Sequence, residues 1–296
     1  FAAFGAAERP ASAETSQGKA VEVHLAPATP APLRRLDEPC EPEWRAHLAE
    51  AALEAMGHFG LRPAETMPDL MRGVSYRALA RVRGRTETVP AGARRGLSAG
   101  DVEPAGVARP YAKYFAVEEH RLRHRRYDGR MSGIVERAVF ASGDAVTVVP
   151  FDVRRRRLLL IEQFRIGPFA RRDPRPWRLE AVAGRCDAGE GPEATARREA
   201  REEAGVELGR IERIGGYYTS PGMMAEHITA YVGEADLERV GGVHGLPEEE
   251  EDIRAVVLPL AEALDLVASG EVNNGPLLVS LLWLGGQAER LAEAWS

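Results

Sequence analysis

Between residues 197 and 205 the chain reads RREAREEAG, which places Glu199, Glu202 and Glu203 at i, i+3 and i+4. On a helix these three carboxylates project from one face. Like charges so spaced repel by about 0.2–0.5 kcal/mol per pair, so helix stability alone does not account for the cluster. Carboxylates gathered on one face suit a hard divalent cation, which takes oxygen ligands and keeps several waters. A cation so held can neutralise the oxygens of a bound pyrophosphate.

The cluster has a fixed setting. Gly184 is followed after five residues by Glu190, and after seven more by Arg198-Glu199-Ala200-Arg201-Glu202-Glu203-Ala204-Gly205-Val206. Gly184, Gly189 and Gly191 allow a loop to fold back closely on the helix that follows. Pro192 suits a first helical position and Gly205 the left-handed residue that ends a helix, so the spacing predicts a helix over 192–204. Ala200 and Ala204 let that helix approach a sheet closely. Arg198 can pair with Glu190 or Glu202 and fix carboxylate directions, leaving Glu199 and Glu203 to face a metal. A bare EEA triplet is an ordinary solvated face; seven specified residues at fixed spacing are not.

The elements that must position this segment are strands before and after it. DAVTVVPFD and RLLLIEQFRIG are apolar enough to be central strands. The run Arg154–Arg157 between them reads as a solvated hairpin turn rather than a phosphate patch. WRLEAVAG, RIGGYYTS, HITAYVGEA and DIRAVVLPL supply further strands. LAEALDLVASG and PLLVSLLWLGGQAERLAEAW supply closing helices. Without a regular βαβ repeat, this favours a mixed sheet clasped between helices.

Upstream, residues 1–35 are rich in Ala and Pro, with one strand-like run, AVEVHLAP. The sequence predicts a helix from Glu41 to Phe59, with Trp44, Leu48, Ala52 and Met56 on its apolar stripe, joined by Leu53 and Phe59. A second helix is expected over 66–84 and a linker from Thr86 to Val107. YAKYFAVEEHRLRHRRYDG and MSGIVERAVFASG alternate as paired strands joined near Asp128-Gly129.

A net charge of −6 argues against nucleic acid as the main partner. No apolar run reaches the roughly 18 residues of a membrane span. Two cysteines, Cys40 and Cys186, stand in no metal-ligand spacing, which fits a reducing cytoplasm.

Residues Gly184–Val206 resemble, at every specified position, the signature of the Nudix hydrolases. The resemblance implies an α/β/α sandwich, Mg²⁺ dependence and water attack on a pyrophosphate. It implies Glu199, Glu203 and the Ala183 carbonyl as metal ligands, Glu202 as a further ligand or supporter, and Arg198 as organiser. Two or three Mg²⁺ ions are expected, with Mn²⁺ able to substitute. Pro221, sixteen residues beyond Gly205 in YYTSPGMMAEH, is similar in placement to the ADP-ribose pyrophosphatase subfamily. So are RHRRYDGRMS, LLLIEQFRIGPF, PWRLEAVAG, GVHGLPEEEEDIR and GEVNNGPLLVSLLWL, which extend the match over 108–292. The tellurite-resistance branch, with an N-terminal γ-glutamylcyclotransferase-like domain, is the nearest in pattern.

The implied domains are a cyclotransferase-like remnant over 1–35, a helical extension and linker over 36–107, and the hydrolase domain over 108–296. By position, the acidic loop PEEEEDIR supplies Glu251 as a metal ligand and Glu249 as general base, with Glu226 a rival for the latter role. Arg165 is expected on the phosphates. Tyr114 or Phe115 is expected on adenine with Arg137 nearby, in a homodimer. Where relatives carry small hydroxyl residues after Pro221-Gly222, this chain has Met223-Met224-Ala225, which bears on the leaving group. The implied reaction is hydrolysis of ADP-ribose to AMP and ribose 5-phosphate. The alternatives are another nucleotide sugar such as GDP-mannose, or a non-hydrolysing nucleotide sensor.

Overall fold

The structure, a computed structural model, describes residues 11–14, 20–23, 42–88, 92–94, 96–246 and 250–295. It divides into two compact units, one reaching to Asp144 with Ser220–Glu226, the other comprising Ala145–Thr219 and His227–Ser296.

In the first unit, β1 (Ala11–Glu14) pairs antiparallel with β2 (Ala20–Val23). The rest of residues 1–35, expected as a remnant, lies outside the described residues. Helices α1 (Pro42–Met56) and α2 (Met67–Thr86) form the expected helical pair. The buried face of α1 is not the apolar stripe read from the sequence. It runs through His47, Ala51 and Glu54, while Leu53, Met56 and, beyond the helix, Phe59 stay exposed. The cause is polar: Glu54 accepts from Arg77 at 2.5 Å and from Arg81 at 2.6 Å, and His47 bonds to Ser75. Once buried, a charge must keep its partner, and that requirement sets the helix rotation.

The stretch expected as linker ends early. Strand β3 (Val102–Ala112) pairs with β4 (Ala116–His124), which pairs with β5 (Val135–Ala141). YAKYFAVEEH therefore contains a turn at 113–115, where the Lys113 amide donates to the Phe115 carbonyl. The expected turn near Asp128-Gly129 is present, with Gly129 at φ 84°. Glu118, buried on β4, ties the helices to this sheet by accepting from Arg81 at 2.6 Å and Arg109 at 2.7 Å.

The second unit holds β6 (Ala145–Asp152), β7 (Arg157–Phe164), β8 (Trp177–Glu180), β9 (Val182–Arg185), β10 (Ile211–Tyr218), β11 (His227–Glu234), β12 (Gly242–His244) and β13 (Ile253–Pro259). With them are α3 (Ile166–Ala170), α4 (Pro192–Ala204), α5 (Leu260–Ser269) and α6 (Gly275–Trp295). The sheet runs β10-β11-β6-β7-β13-β12, with β11 and β6 parallel and the other neighbours antiparallel. Strands β6 and β7 are paired only near their hairpin, at Phe151–Leu158 and Asp152–Arg157. Beyond it they part, and β8 pairs with β7 while β9 pairs with β6.

Period-two alternation sorts the two faces of this sheet. Val149, Phe151, Leu158, Leu160 and Val232 pack with Leu277, Leu281 and Leu284 of α6, while Ala196, Ala200 and Ala204 of α4 are fully buried. Helix α4 lies against β9 and β6. The result is the expected α/β/α sandwich around a mixed sheet. Arg154–Arg157 is the solvated hairpin: buried Asp152 accepts the Arg154 and Arg155 amides and pairs with the Arg155 guanidinium at 2.9 Å.

Candidate active site

The glutamate helix begins with Pro192 in its first turn and ends on Gly205 in the left-handed region, φ 64°. A side chain at Gly205 would press on the His244 ring, with Cβ 2.9 Å from Cε1. Gly184 on β9 faces the helix so closely that a Cβ there would lie 1.8 Å from Glu199 Oε1. Only a glycine leaves room for that carboxylate.

Arg198 is the hub. It reaches Glu190 at 3.1 Å, Glu199 at 2.7 Å and Glu202 at 2.8 Å, and donates to the Arg185 carbonyl at 3.3 Å. It thus ties loop to helix and holds three carboxylates at once, one more than the sequence suggested. These anions keep its guanidinium charged despite its burial. Thr195 donates to Glu190 at 2.9 Å and fixes the other side of that carboxylate.

Glu203 is buried and accepts the Ala183 amide at 2.9 Å. Burial pushes its pKa up to about 8, with the charges of Glu199 and Glu251 adding to the rise and Arg165 opposing it. Glu199 is pushed up to about 7, first by burial, against the pull of Arg198, with Glu202 and Glu251 raising it further. Glu251 accepts the Leu246 amide at 3.1 Å, and Gly245 donates to the Glu202 carbonyl at 3.3 Å. Gly245, two residues before the acidic loop, is thereby pinned to α4. Glu249 lies outside the described residues.

Among the described residues no three His, Cys, Asp or Glu side chains stand in a metal-ligating arrangement. Glu199 is held on Arg198, and Glu203 on the Ala183 amide. The donor set nevertheless fits a divalent cation. Glu199 and Glu203 offer carboxylate oxygens on one helix face, the charge of Glu251 acts on both, and the glycine at 184 leaves room for the Glu199 carboxylate.

Arg165, between β7 and α3, pairs with Glu180 of β8 at 2.8 Å. Sequence reading passed over Glu180, although it stands in PWRLEAVAG. Burial raises its pKa, against the pull of Arg165 and Arg178. The signal was a charged residue amid apolar neighbours in a strand.

The other expected residues belong to the first unit. Tyr114 is 67% exposed, enough to present its ring to a ligand. Phe115 packs instead on Phe140 and Tyr111, with ring centroids 4.0 and 5.2 Å away. Arg137 is exposed on β5. Pro221 opens a loop whose Met223 carbonyl and Ala225 amide bond to the Phe140 backbone. Glu226 accepts from Ser142 at 3.5 Å.

Fold and site define a class: α/β/α proteins in which a glycine loop and an arginine-tethered glutamate helix meet where a mixed sheet splits. The NUDIX domain profile matches residues 141–278. An ADP-ribose pyrophosphatase of Escherichia coli (strain K12) is 38% identical over 196 residues, covering 66% of this chain and 93% of that protein. One from Haemophilus influenzae is 34% identical over 199 residues, covering 66% and 91%. A GDP-mannose pyrophosphatase of Escherichia coli O1:K1 / APEC is 31% identical over 150 residues, covering 50% and 77%. The chain belongs to the Nudix family and, within it, to the ADP-ribose pyrophosphatase subfamily.

Proposed function

We propose that this protein hydrolyses the diphosphate of ADP-ribose, giving AMP and ribose 5-phosphate. The observation that carries the chemistry is the Gly184 cradle, in which Arg198 ties Glu190, Glu199 and Glu202 beside buried Glu203. The substrate follows from the ADP-ribose pyrophosphatases, which the chain matches over more of their length than it matches the GDP-mannose pyrophosphatase.

Glu199, Glu203, Glu251 and the Ala183 carbonyl would hold Mg²⁺, two or three ions, with Mn²⁺ able to substitute. When bound, the metal neutralises charge on the diphosphate. Arg198 orients Glu190, Glu199 and Glu202. Arg165 meets a phosphate oxygen, aimed by Glu180. A glutamate takes one proton from the attacking water as its oxygen bonds to phosphorus, and the bond from that phosphorus to the bridging oxygen breaks. Glu249 is assigned this role, with Glu226 second; base catalysis of this kind is worth about 10²–10⁴-fold. Exposed Tyr114 suits stacking on adenine, with Phe115 and Arg137 in support.

The exposed Val102, Val107 and Tyr111 of β3 favour a homodimer in which a second copy covers the sheet. No helix among the described residues is long and apolar enough to cross a membrane. The two cysteines, far apart and in no metal-ligand spacing, favour the cytoplasm.

The test is AMP release from ADP-ribose with Mg²⁺, beside GDP-mannose, by the wild type and by Glu203→Gln, Glu249→Gln and Glu226→Gln. Loss in Glu203→Gln, and a larger fall in kcat for Glu249→Gln than for Glu226→Gln, is expected. Undiminished turnover by Glu203→Gln removes the reading; higher kcat/KM on GDP-mannose replaces the substrate.

A further inference from the structure

On the α4 face of the second unit, where β7 and β8 end, lies a cavity of about 300 Å³. Three arginines line it: Arg165, Arg171 and Arg178, together with Asp173, Glu180 and Asn273. Strand alternation puts it on this face. Leu179 packs into the α6 core, so its neighbours Arg178 and Glu180 point the other way, toward the layer of the glutamate helix. Arg165 belongs to both places: it lines the cavity, and its charge acts on Glu203.

The charges do not cancel. Arg165 pairs with Glu180 and Arg178 with Asp173, and both pairs are partly buried. Arg171, exposed on the loop after α3, adds a third cation with no third carboxylate among the lining residues. One arginine suffices to meet a phosphate of the scissile diphosphate, and a neutral ribose needs none. A cavity of this size with surplus positive charge and the Asn273 amide fits a second tetrahedral or planar anion.

We propose that this cavity is a subsite for an anionic group on the sugar side of the diphosphate, so that the preferred substrate is a nucleoside diphosphate linked to a phosphorylated sugar. This rests on the hydrolase reading above and narrows its substrate. Arg171 and Arg178 are the specificity-determining residues, and Arg165 joins the subsite to the reacting diphosphate. The extra anion is bound equally in ground and transition states, so it lowers KM and leaves kcat nearly unchanged.

The experiment compares kcat/KM for ADP-ribose and ADP-ribose 1″-phosphate in the wild type, Arg171→Ala, Arg171→Lys and Arg178→Ala. UDP-glucuronate against UDP-glucose serves as the carboxylate arm. Wild type is expected to favour the phosphorylated substrate at least about tenfold, through KM, the size of one charged hydrogen bond. The ratio is expected to fall toward one in Arg171→Ala and to recover in part in Arg171→Lys. Arg171 is exposed, so that variant keeps the fold even if Arg178→Ala does not. A wild-type ratio near one, or a ratio that Arg171→Ala leaves unchanged, overturns the proposal. A preference for the carboxylate pair alone replaces phosphate with carboxylate and also overturns it as stated. If no substrate is turned over, the hydrolase reading fails. Calorimetric binding of the two ADP-riboses then decides the subsite by itself: tighter binding of the phosphorylated one supports it, and equal binding overturns it.

Discussion

Raising the pH from 5 to 8 in the presence of a chelator is expected to destabilise this protein, and Mg²⁺ is expected to reverse most of the loss. Glu199 and Glu203 have their pKa values pushed up to about 7 and about 8, against an ordinary 4.5, with burial the first cause of each. In the unfolded chain both carboxyls ionise near 4.5, so between there and pH 7–8 the folded state keeps protons that the unfolded state has released. Stability therefore falls with rising pH across that window and changes no further once pH exceeds the folded values. For Glu199 alone, a separation of about 2.5 pH units at ~1.4 kcal/mol each amounts to roughly 3 kcal/mol. Glu203 is not added to this, because its shift already contains the charge of Glu199. In a unit of this size that corresponds to a fall in melting temperature of roughly 6–12 °C. Buried His47 and His58 have lowered pKa values and act in the opposite sense, losing stability as pH falls below their ordinary 6.5. They lie outside the carboxylate site, so the difference between melts with Mg²⁺ and with chelator isolates the glutamates. Thermal melts at half-unit steps, repeated on Glu203→Gln, supply the measurement. Parallel curves with and without Mg²⁺ would refute the reasoning.

Gly184→Ala sets a methyl group against Glu199. It is expected to weaken Mg²⁺ binding by about 10–100-fold, as loss of a supporting contact does, with the far-ultraviolet spectrum unchanged; calorimetry checks this. Glu54→Gln leaves Arg77 charged and buried without its counter-ion. Breaking such a pair costs about 3–5 kcal/mol, readable in urea unfolding, and the double replacement Glu54→Leu/Arg77→Met is expected to recover most of it. A chain beginning at Ala108 loses α1, α2 and the first half of β3, and strips Arg81 from buried Glu118. It is expected to give a poorly folded first unit by amide exchange; a folded, active product would show the helices dispensable.

The second unit was legible where local chemistry and packing agree. Pro192 and Gly205 bound a helix in both sequence and structure, and the apolar runs of β6 and β7 are the buried centre of the sheet. The first unit was less so, for two physical reasons. Polar burial, which no hydrophobic period reveals, decides which face α1 turns inward: Glu54 goes in with Arg77, and Leu53 stays out. Strand β3 begins at Val102 within a Gly-, Pro- and Arg-rich stretch because its pairing with β4 overrides weak local preference. Within the site, residue types fixed the carboxylates and their arginine. The added bond from Arg198 to Glu199 and the pairing of Glu180 with Arg165 depend on side-chain directions that spacing does not specify.

The segment from Trp177 to Arg185 spends its first half on β7 and its second on β6. Neither flank of the split can complete its ladder until this one crossing strand is in place, and Gly184 sits at its end. A half-assembled chain accordingly has no seat for the glutamate helix. The cradle for Glu199 thus exists only in the finished sheet.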